Sequence, residues 1–388
     1  MKIAIIGAGA AGCFCAVNLK RMRKDADITL YERANRPMAK LSITGGGRCN
    51  ITNTFEDIRQ MREAYPRGHR LMERLFREFG PEETMRWWEK EGVMLTIQED
   101  HCVFPCSQNA MEVVGTLARM MRDMGIKVRT GCRMEALPEG YDAVVVTTGG
   151  SPRRTGLSFL DPLGLDIVEP VPSLFAMNIE DKALHELSGT VVEDVTIGIA
   201  GSKFQARGTL LITHFGLSGP ATLRLSSYAA RYLAEQGYQA TLTVNWMKGA
   251  NEEQVRETLR RYGCDGKLVT NQHPLHLTAR HWQYLLHKAG IAESQRWNSL
   301  NAKETNRLVS TLTADTYQMT GRCAHKAEFV TCGGIALSAV NPQTLALKAH
   351  EHIYAAGEVL DIDAITGGFN LQAAWTTAYI VAKSISSI

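Results

Sequence analysis

The chain has no apolar run near the roughly 20 residues needed to span a bilayer, so a soluble, cytoplasmic protein with no membrane partner is expected. It has no Cys-x-x-Cys, which argues against a dithiol redox centre. Its nine cysteines (Cys13, Cys15, Cys49, Cys102, Cys106, Cys132, Cys264, Cys323 and Cys332) are odd in number and follow no framework, as reduced thiols do. Cys102 and Cys106 lie four apart with no second pair or histidine cluster at ligand spacing, so no metal is expected. Charge bias is also missing: 43 Lys and Arg against 40 Asp and Glu leave +3, which by itself marks neither a nucleic-acid nor a membrane surface. The first apolar run is too short for a signal peptide. There is no internal repeat, and G-x-G-x-x-G occurs once, which speaks against a second dinucleotide domain.

What is present begins at once. Lys2 to Ile6 (KIAII) reads as a buried parallel strand and enters Gly7-Ala8-Gly9-Ala10-Ala11-Gly12. Ala10 to about Arg23 reads as a helix, and Asp27 to Tyr31 as a second strand ending on Glu32. In such a unit Gly7 permits the tight turn, Gly9 lets the backbone approach a pyrophosphate, and Gly12 lets the helix pack on the sheet. The helix N-terminus offers free N–H groups to phosphates, and Glu32, twenty positions after Gly12, can accept hydrogen bonds from ribose hydroxyls. A dinucleotide site is therefore expected. Further on, Lys40-Leu41-Ser42-Ile43-Thr44-Gly45-Gly46-Gly47-Arg48-Cys49-Asn50 forms a backbone-rich surface suited to a phosphate, a ribitol chain or a flat ring.

These stretches resemble the BaiN-like, YhiN-type (aminoacetone-oxidase-like) family of FAD-dependent oxidoreductases, whose members carry a GAGAAG turn, an acidic–basic pair like Glu32-Arg33, and a K-x-x-x-(S/T)-G-G-G-R-C-N segment. Thr213-His214-Phe215-Gly216-Leu217-Ser218-Gly219-Pro220 resembles it too, as do Tyr354 to Asp361 and Gly367-Gly368-Phe369-Asn370-Leu371-Gln372. The resemblance implies FAD held by Gly7, Gly9, Ala10, Ala11, Gly12, Glu32, Arg33, Lys40, Leu41, Thr44, Gly45, Gly46, Gly47, Arg48, Cys49 and Asn50, with Met134, Thr148, Gly149 and Gly150. In the tail it implies Gly357, Glu358, Asp361, Gly367, Gly368, Asn370, Leu371 and Gln372.

At 388 residues the chain has room for two or three domains. The expected class is α/β: a discontinuous Rossmann-like FAD-binding domain (1–165 and 330–388), an inserted β-barrel-like domain (166–250 and 313–329) and a helical subdomain (251–312). Residues 56–91 read as helical, with Leu71, Leu75 and Phe79 on one apolar face. Val93 to Ile97 and Cys102 to Pro105 read as strands, and a helix is expected near Ala110 to Met124. Ile126 to Arg129 and Ala143 to Thr147 read as buried strands. Punctuation changes after Pro152, and Val191 to Gly198, Lys203 to Gly208 and Thr209 to Ile212 read as short strands of the β-domain. Asn251-Glu252-Glu253 reads as an N-cap and first turn, Tyr317 to Cys323 as a return to the β-domain, and Glu328 to Ile335 as a return to the first. A final helix is expected from Ala373 to about Ile385, its approach through Gly367 and Gly368 aimed at the flavin O2 side.

No catalytic grouping can be assigned from spacing; Arg48, Cys49 and His214 are the candidates, each with a structural reading beside it. The expected activity is oxidation or reduction of a small organic substrate through flavin N5, with NAD(P)H or dioxygen as electron partner. The alternatives are an FAD-dependent enzyme modifying tRNA or another nucleic acid, and a flavin-binding protein without turnover. Only Arg59, Arg62, Arg67, Arg70, Arg74 and Arg77 favour a nucleic-acid partner. Glu56, Asp57, Glu63, Glu73 and Glu78 interleave with them, so a solvated mixed face is expected and no stable nucleic-acid complex.

Overall fold

The computed structural model describes residues 1–151, 153–263, 266–323 and 330–388; Pro152, Cys264 and Glu328, named above, lie outside them. The chain divides into two compact units, Met1–Ser173 with His325–Ile388, and Leu174–Ala324.

The first unit is built on a six-stranded sheet ordered Ala346–Leu347, His350–Ala355, Ala143–Val146, Lys2–Ile6, Asp27–Tyr31, Lys127–Arg129. All neighbours are parallel except the first pair. Lys2–Ile6 is central and has four consecutive buried residues, which is why it reads as a continuous apolar run. The helix Ala10–Met22 lies against the C-terminal helix Phe369–Ser386 around an aromatic core, with Phe14 5.1 Å from Trp375 and Trp375 5.4 Å from Trp88, ring to ring. Two smaller sheets complete the unit, Ile167–Ser173 with Val330–Ile335, and Thr52–Asn53, Cys102–Pro105 and Leu95–Ile97.

Three expectations are corrected here. Lys127–Arg129 is an exposed strand, not a buried one: it is the sheet's edge, paired on one side only, and Lys127 Nζ reaches Asp27 Oδ1 at 2.7 Å. Residues 56–91 form three helices, Met61–Ala64, His69–Leu75 and Pro81–Lys90. Pro66 and the left-handed Gly68 (φ 81°) separate the first two, and Gly80-Pro81 starts the third. Leu71, Leu75 and Phe79 are all buried, so the apolar face survives the interruption. The last helix starts at Phe369, four residues earlier than expected.

The second unit holds a closed six-stranded barrel, ordered Val191–Ile199, Gln205–Thr213, Gly216–Ser218, Met177–Ile179, Asp315–Arg322, Ala240–Asn245. Closure leaves no free sheet edge. Gln205–Thr213 is one strand where two were expected. Gly208 faces Val195 where the register shifts by a bulge, and Asp194, at φ 59°, takes up the extra residue. The helices Glu252–Gly263, Ala279–Lys288 and Ala302–Ala314 belong to the same unit. Asn251 and Gln254 cap the first reciprocally, each side-chain oxygen accepting from the other's N–H at 2.9 Å.

Within this unit His281 is fully buried 4.5 Å from the Trp246 ring, and neither of its nitrogens has a hydrogen-bond partner. Burial, with a lesser push from His276, lowers its pKa from 6.5 to about 4. The unfolded chain therefore takes up the proton first as pH falls. Stability is full above pH 6.5 and declines towards pH 4, by roughly 3 kcal/mol in total. Urea midpoints at pH 7 and pH 4.5 check this, and H281F should flatten the difference between them.

Candidate functional site

Glycine-bearing turns follow three of the parallel strands closely, Gly7–Gly12 after Lys2–Ile6, Gly149–Gly150 after Ala143–Val146 and Gly357 after His350–Ala355, and two more, Gly45–Gly47 and Gly367–Gly368, come later in the chain. The first is Gly7–Gly12. Gly7 has φ 103°, and a Cβ there would lie 2.4 Å from Thr147 O; a Cβ on Gly12 would lie 1.9 Å from Gly7 O. These two glycines are demanded by packing. Gly9 is different: its backbone is extended (φ −83°, ψ −164°) and a Cβ would meet nothing within 4 Å. It faces open space at the N-terminus of Ala10–Met22, and no side chain caps that helix. The N–H groups of Ala10, Ala11 and Gly12 have no intrahelical acceptor.

Glu32 closes this turn from the next strand, where Oε2 accepts from Ala8 N (2.9 Å) and Oε1 from Ala34 N (2.8 Å). Arg33 is exposed beside it, and Met134 is half-buried two residues past Cys132, whose N donates to Glu32 O. Thr148, Gly149 and Gly150 follow the strand Ala143–Val146. Thr148 Oγ1 is buried without a partner, an orphan hydroxyl at the mouth of the sheet. Gly150 abuts Thr331 and Glu358, and Gly357 (φ 77°) comes so close to Ala11 that a Cβ would lie 2.9 Å from its methyl.

Lys40 bridges two of these turns, with Nζ 2.9 Å from Glu358 Oε2 while Glu358 Oε1 accepts from Thr331 N at 2.8 Å. Leu41 is buried beneath, and Thr44 Oγ1 donates to its carbonyl. The next three residues, Gly45, Gly46 and Gly47, all have positive φ (57°, 68° and 84°), which only glycine adopts in succession without strain. Gly46 and Gly47 face open space.

The last turn runs through Asp361, whose N donates to Ile335 O, to Gly367 and Gly368. A Cβ on Gly368 (φ 90°) would lie 2.4 Å from Thr52 O. The C-terminal helix starts here, again with no capping side chain and no acidic residue in its first turn. Elsewhere in the unit, Asn109 caps the helix Ala110–Asp123 in the ordinary way.

Several side chains named from the sequence are engaged within the protein. Arg48 lies over the Phe104 ring at 4.4 Å and donates to Gly45 O (3.2 Å), bracing the glycine turn. Cys49 is fully buried, and burial pushes its thiol up to about 12, so it is protonated at neutral pH. Asn370 pins the preceding loop, accepting from Ala364 N and donating to Ala364 O, both at 3.0 Å. Gln372 is buried between Thr52 (2.5 Å) and Thr376 (2.9 Å). The Asn50 amide donates to Thr52 O (2.8 Å) and accepts from Gly368 N (3.2 Å). Leu371 contributes its backbone to the first turn of the last helix. His214 is exposed on a turn of the second unit. Sequence reasoning missed Thr148 as an orphan, Arg67 and Asp363, which form a buried ion pair, and Tyr65, whose hydroxyl donates to Phe369 O at 2.7 Å. The Pro66-Arg67-Gly68 punctuation was a signal for Arg67 and Tyr65 alone.

Over residues 1–384 the sequence matches the family described as HI0933-like protein Rossmann domain. The chain belongs to that family. Its members are FAD-dependent oxidoreductases of the BaiN and YhiN type, as the motifs implied, and FAD is the cofactor. The chain is 25% identical over 411 residues to the 3-dehydro-bile acid delta(4,6)-reductase of Clostridium scindens, covering 99% of this chain and 98% of that protein. It is 27% identical over 404 residues to the ribosomal RNA dihydrouridine synthase of Escherichia coli, covering 98% and 97%. Among solved structures it is similar to the 3-ketosteroid delta1-dehydrogenase of Sterolibacterium denitrificans (12% identity, TM-score 0.48, 99% of each chain covered). No helix among the described residues is long and apolar enough to cross a membrane.

Proposed function

We propose that this protein is an FAD-dependent reductase that saturates a carbon–carbon double bond conjugated to a carbonyl, with NAD(P)H as the source of the electrons. The observation that carries the cofactor's placement is the pair of uncapped helix N-termini, at Gly9 and at Gly368, in one unit with open backbone at Gly9, Gly46 and Gly47. Bare N-termini favour negative charge. One suits a pyrophosphate, and the other suits the electron-rich side of a reduced ring. Glu32, fixed by two backbone donors, keeps lone pairs for ribose hydroxyls, and Thr148 Oγ1 awaits a partner.

When bound, FAD supplies two-electron chemistry through its N5. The chain positions it and shapes its surroundings. Burial pushes the thiols of Cys15 and Cys49 up to about 12 and that of Cys13 higher still, so none supplies a thiolate for electron relay. The acceptor class rests on the two relatives matched along their whole lengths. One is named as a delta(4,6)-reductase of a 3-dehydro compound and the other as a dihydrouridine synthase. An unsaturated 3-ketone and a uracil share a double bond polarised by a carbonyl, and hydride with a proton saturates either.

The anaerobic visible spectrum tests this. Flavin bands should bleach with NADPH or NADH and return, without oxygen, on addition of a conjugated enone or a uridine oligonucleotide. Bands that only dioxygen restores would overturn the reductase reading in favour of an oxidase.

A further inference from the structure

The interleaved arginines of residues 59–77 separate in the structure. Arg67 is turned inward onto Asp363. Arg59, Arg62 and Arg70 instead line one open cavity of about 540 Å³, together with Phe55, His69 and Glu73. All three residues are exposed, and none forms an ion pair within the described residues. Of the neighbouring carboxylates three are drawn elsewhere, and Glu63 is engaged as well. Glu56 and Asp57 face His101, at 3.7 and 3.4 Å, and Glu78 reaches Lys383 at 2.5 Å. Among the described residues Glu73 is the one acidic side chain on the cavity wall. His69 adds a buried Nδ1 with no protein partner.

Two further features give the cavity a direction. Arg74 lies one helical turn beyond Arg70 on His69–Leu75, so positive charge continues outside the cavity. Phe55, on the cavity wall, meets Phe369 edge-on at 4.8 Å, and Phe369 is the first residue of the C-terminal helix. Two aromatic rings, Phe55 and Phe369, thus link the cavity wall to the Gly367–Gly368 turn.

We propose that this cavity is a phosphodiester-binding site for a single-stranded RNA, seating one nucleotide against Phe55 while Arg59, Arg62 and Arg70 hold consecutive phosphates. Planar guanidinium forks match phosphate oxygens. The volume suits one nucleotide, an aromatic wall offers a base a stacking face, and Arg74 extends the track beyond what a compact diphosphate needs. The proposal rests on the reductase reading only for what is reduced, a uracil ring carried on that strand.

The test is binding of a labelled uridine-containing ribo-oligonucleotide to the FAD-loaded protein across a salt series. Each phosphate neutralised on a single strand contributes about 0.7 to the slope of log K against log salt. R59A/R62A/R70A should therefore lower the slope by about 2 and weaken binding at low salt by roughly tenfold or more. E73Q should tighten binding about two- to fivefold, a gain that misfolding cannot mimic. Unchanged slope and affinity in the triple variant would overturn the site. So would displacement of the RNA by stoichiometric NADPH, or equal affinity for a polyglutamate peptide. If the flavin bleaches and is reoxidised by an enone but RNA does not bind, the site falls and the reductase stands. RNA binding through these arginines by a protein whose flavin no nicotinamide reduces upholds the site and removes the reductase.

Discussion

Replacing Gly9 with leucine should abolish FAD retention while leaving the apoprotein as stable as the wild type. The backbone at Gly9 is extended, a conformation open to any residue, and a Cβ there meets no protein atom. Whatever the new side chain displaces must therefore be ligand. With the pyrophosphate excluded, FAD affinity should fall by at least 100-fold, or about 2.7 kcal/mol. Gly12 predicts the opposite pattern. A Cβ there would sit 1.9 Å from Gly7 O and 2.7 Å from Thr147 Oγ1, so G12V must push the helix off the sheet. It should cost about 3 kcal/mol or more with or without cofactor. Thermal melts of apo and FAD-loaded forms separate the two cases. A G9L apoprotein that melts well below wild type would show that the turn is demanded by packing at all three glycines.

The second large effect is expected at Arg67. Its guanidinium is bidentate to Asp363: Nε lies 2.5 Å from Oδ1 and the second contact reaches Oδ2. Asp363 is wholly buried, with Ser173 Oγ also donating to Oδ2 at 3.0 Å. R67M leaves that carboxylate buried and short of its main partner, which should cost about 3–5 kcal/mol. The pair also fastens the Pro66–Gly68 turn to the segment that carries Asp361, Gly367 and Gly368, so FAD should be lost in parallel. R67M/D363L removes the stranded charge and should recover much of the stability but not the cofactor, because the segment is no longer held. Urea unfolding and bound-flavin absorbance follow the two effects separately. A single variant as stable as wild type would mean that water reaches Asp363 more freely than its burial implies.

The parts of this fold legible in the sequence are those whose causes are local. Lys2–Ile6, the glycine turn after it and Asp27–Tyr31 announce themselves because a central parallel strand is apolar throughout and a βα turn needs glycine at fixed places. The helix Ala110–Asp123 and the capped start at Asn251 are local in the same sense. What could not be read depends on partners far along the chain. Gln372 looks like a polar group free to meet a cofactor until Thr52, some three hundred residues away, takes its amide. Arg48 looks like an anion receptor until Phe104 receives it. Asp361 stood out in the tail while Asp363, two residues on, forms the buried pair; nothing local distinguishes them. The 127–129 strand is ordinary in sequence, and only its place at the sheet's edge makes it exposed. The alternation of charges over 56–78 concealed the arginines because sequence spacing does not tell which carboxylates are drawn away to His101 and Lys383.

The interrupted layout of the first unit also fixes an order of events during synthesis. The barrel and its helices are one uninterrupted stretch, Leu174–Ala324, and their contacts are complete once that stretch has left the ribosome. The nucleotide-binding sheet is not complete then, because His350–Ala355 and the helix Phe369–Ser386, which covers Ala10–Met22, are still to come. At roughly 5–20 residues per second, several seconds separate the two moments. During that interval the first helix lacks the Phe369–Ser386 helix that packs on it, and Phe14, already beside Phe79 and Trp87, lacks its Trp375 contact. On the proposed placement of FAD at the Gly368 turn, its capture comes at or after the end of translation, and flavin starvation should leave a population with a finished barrel and an open sheet.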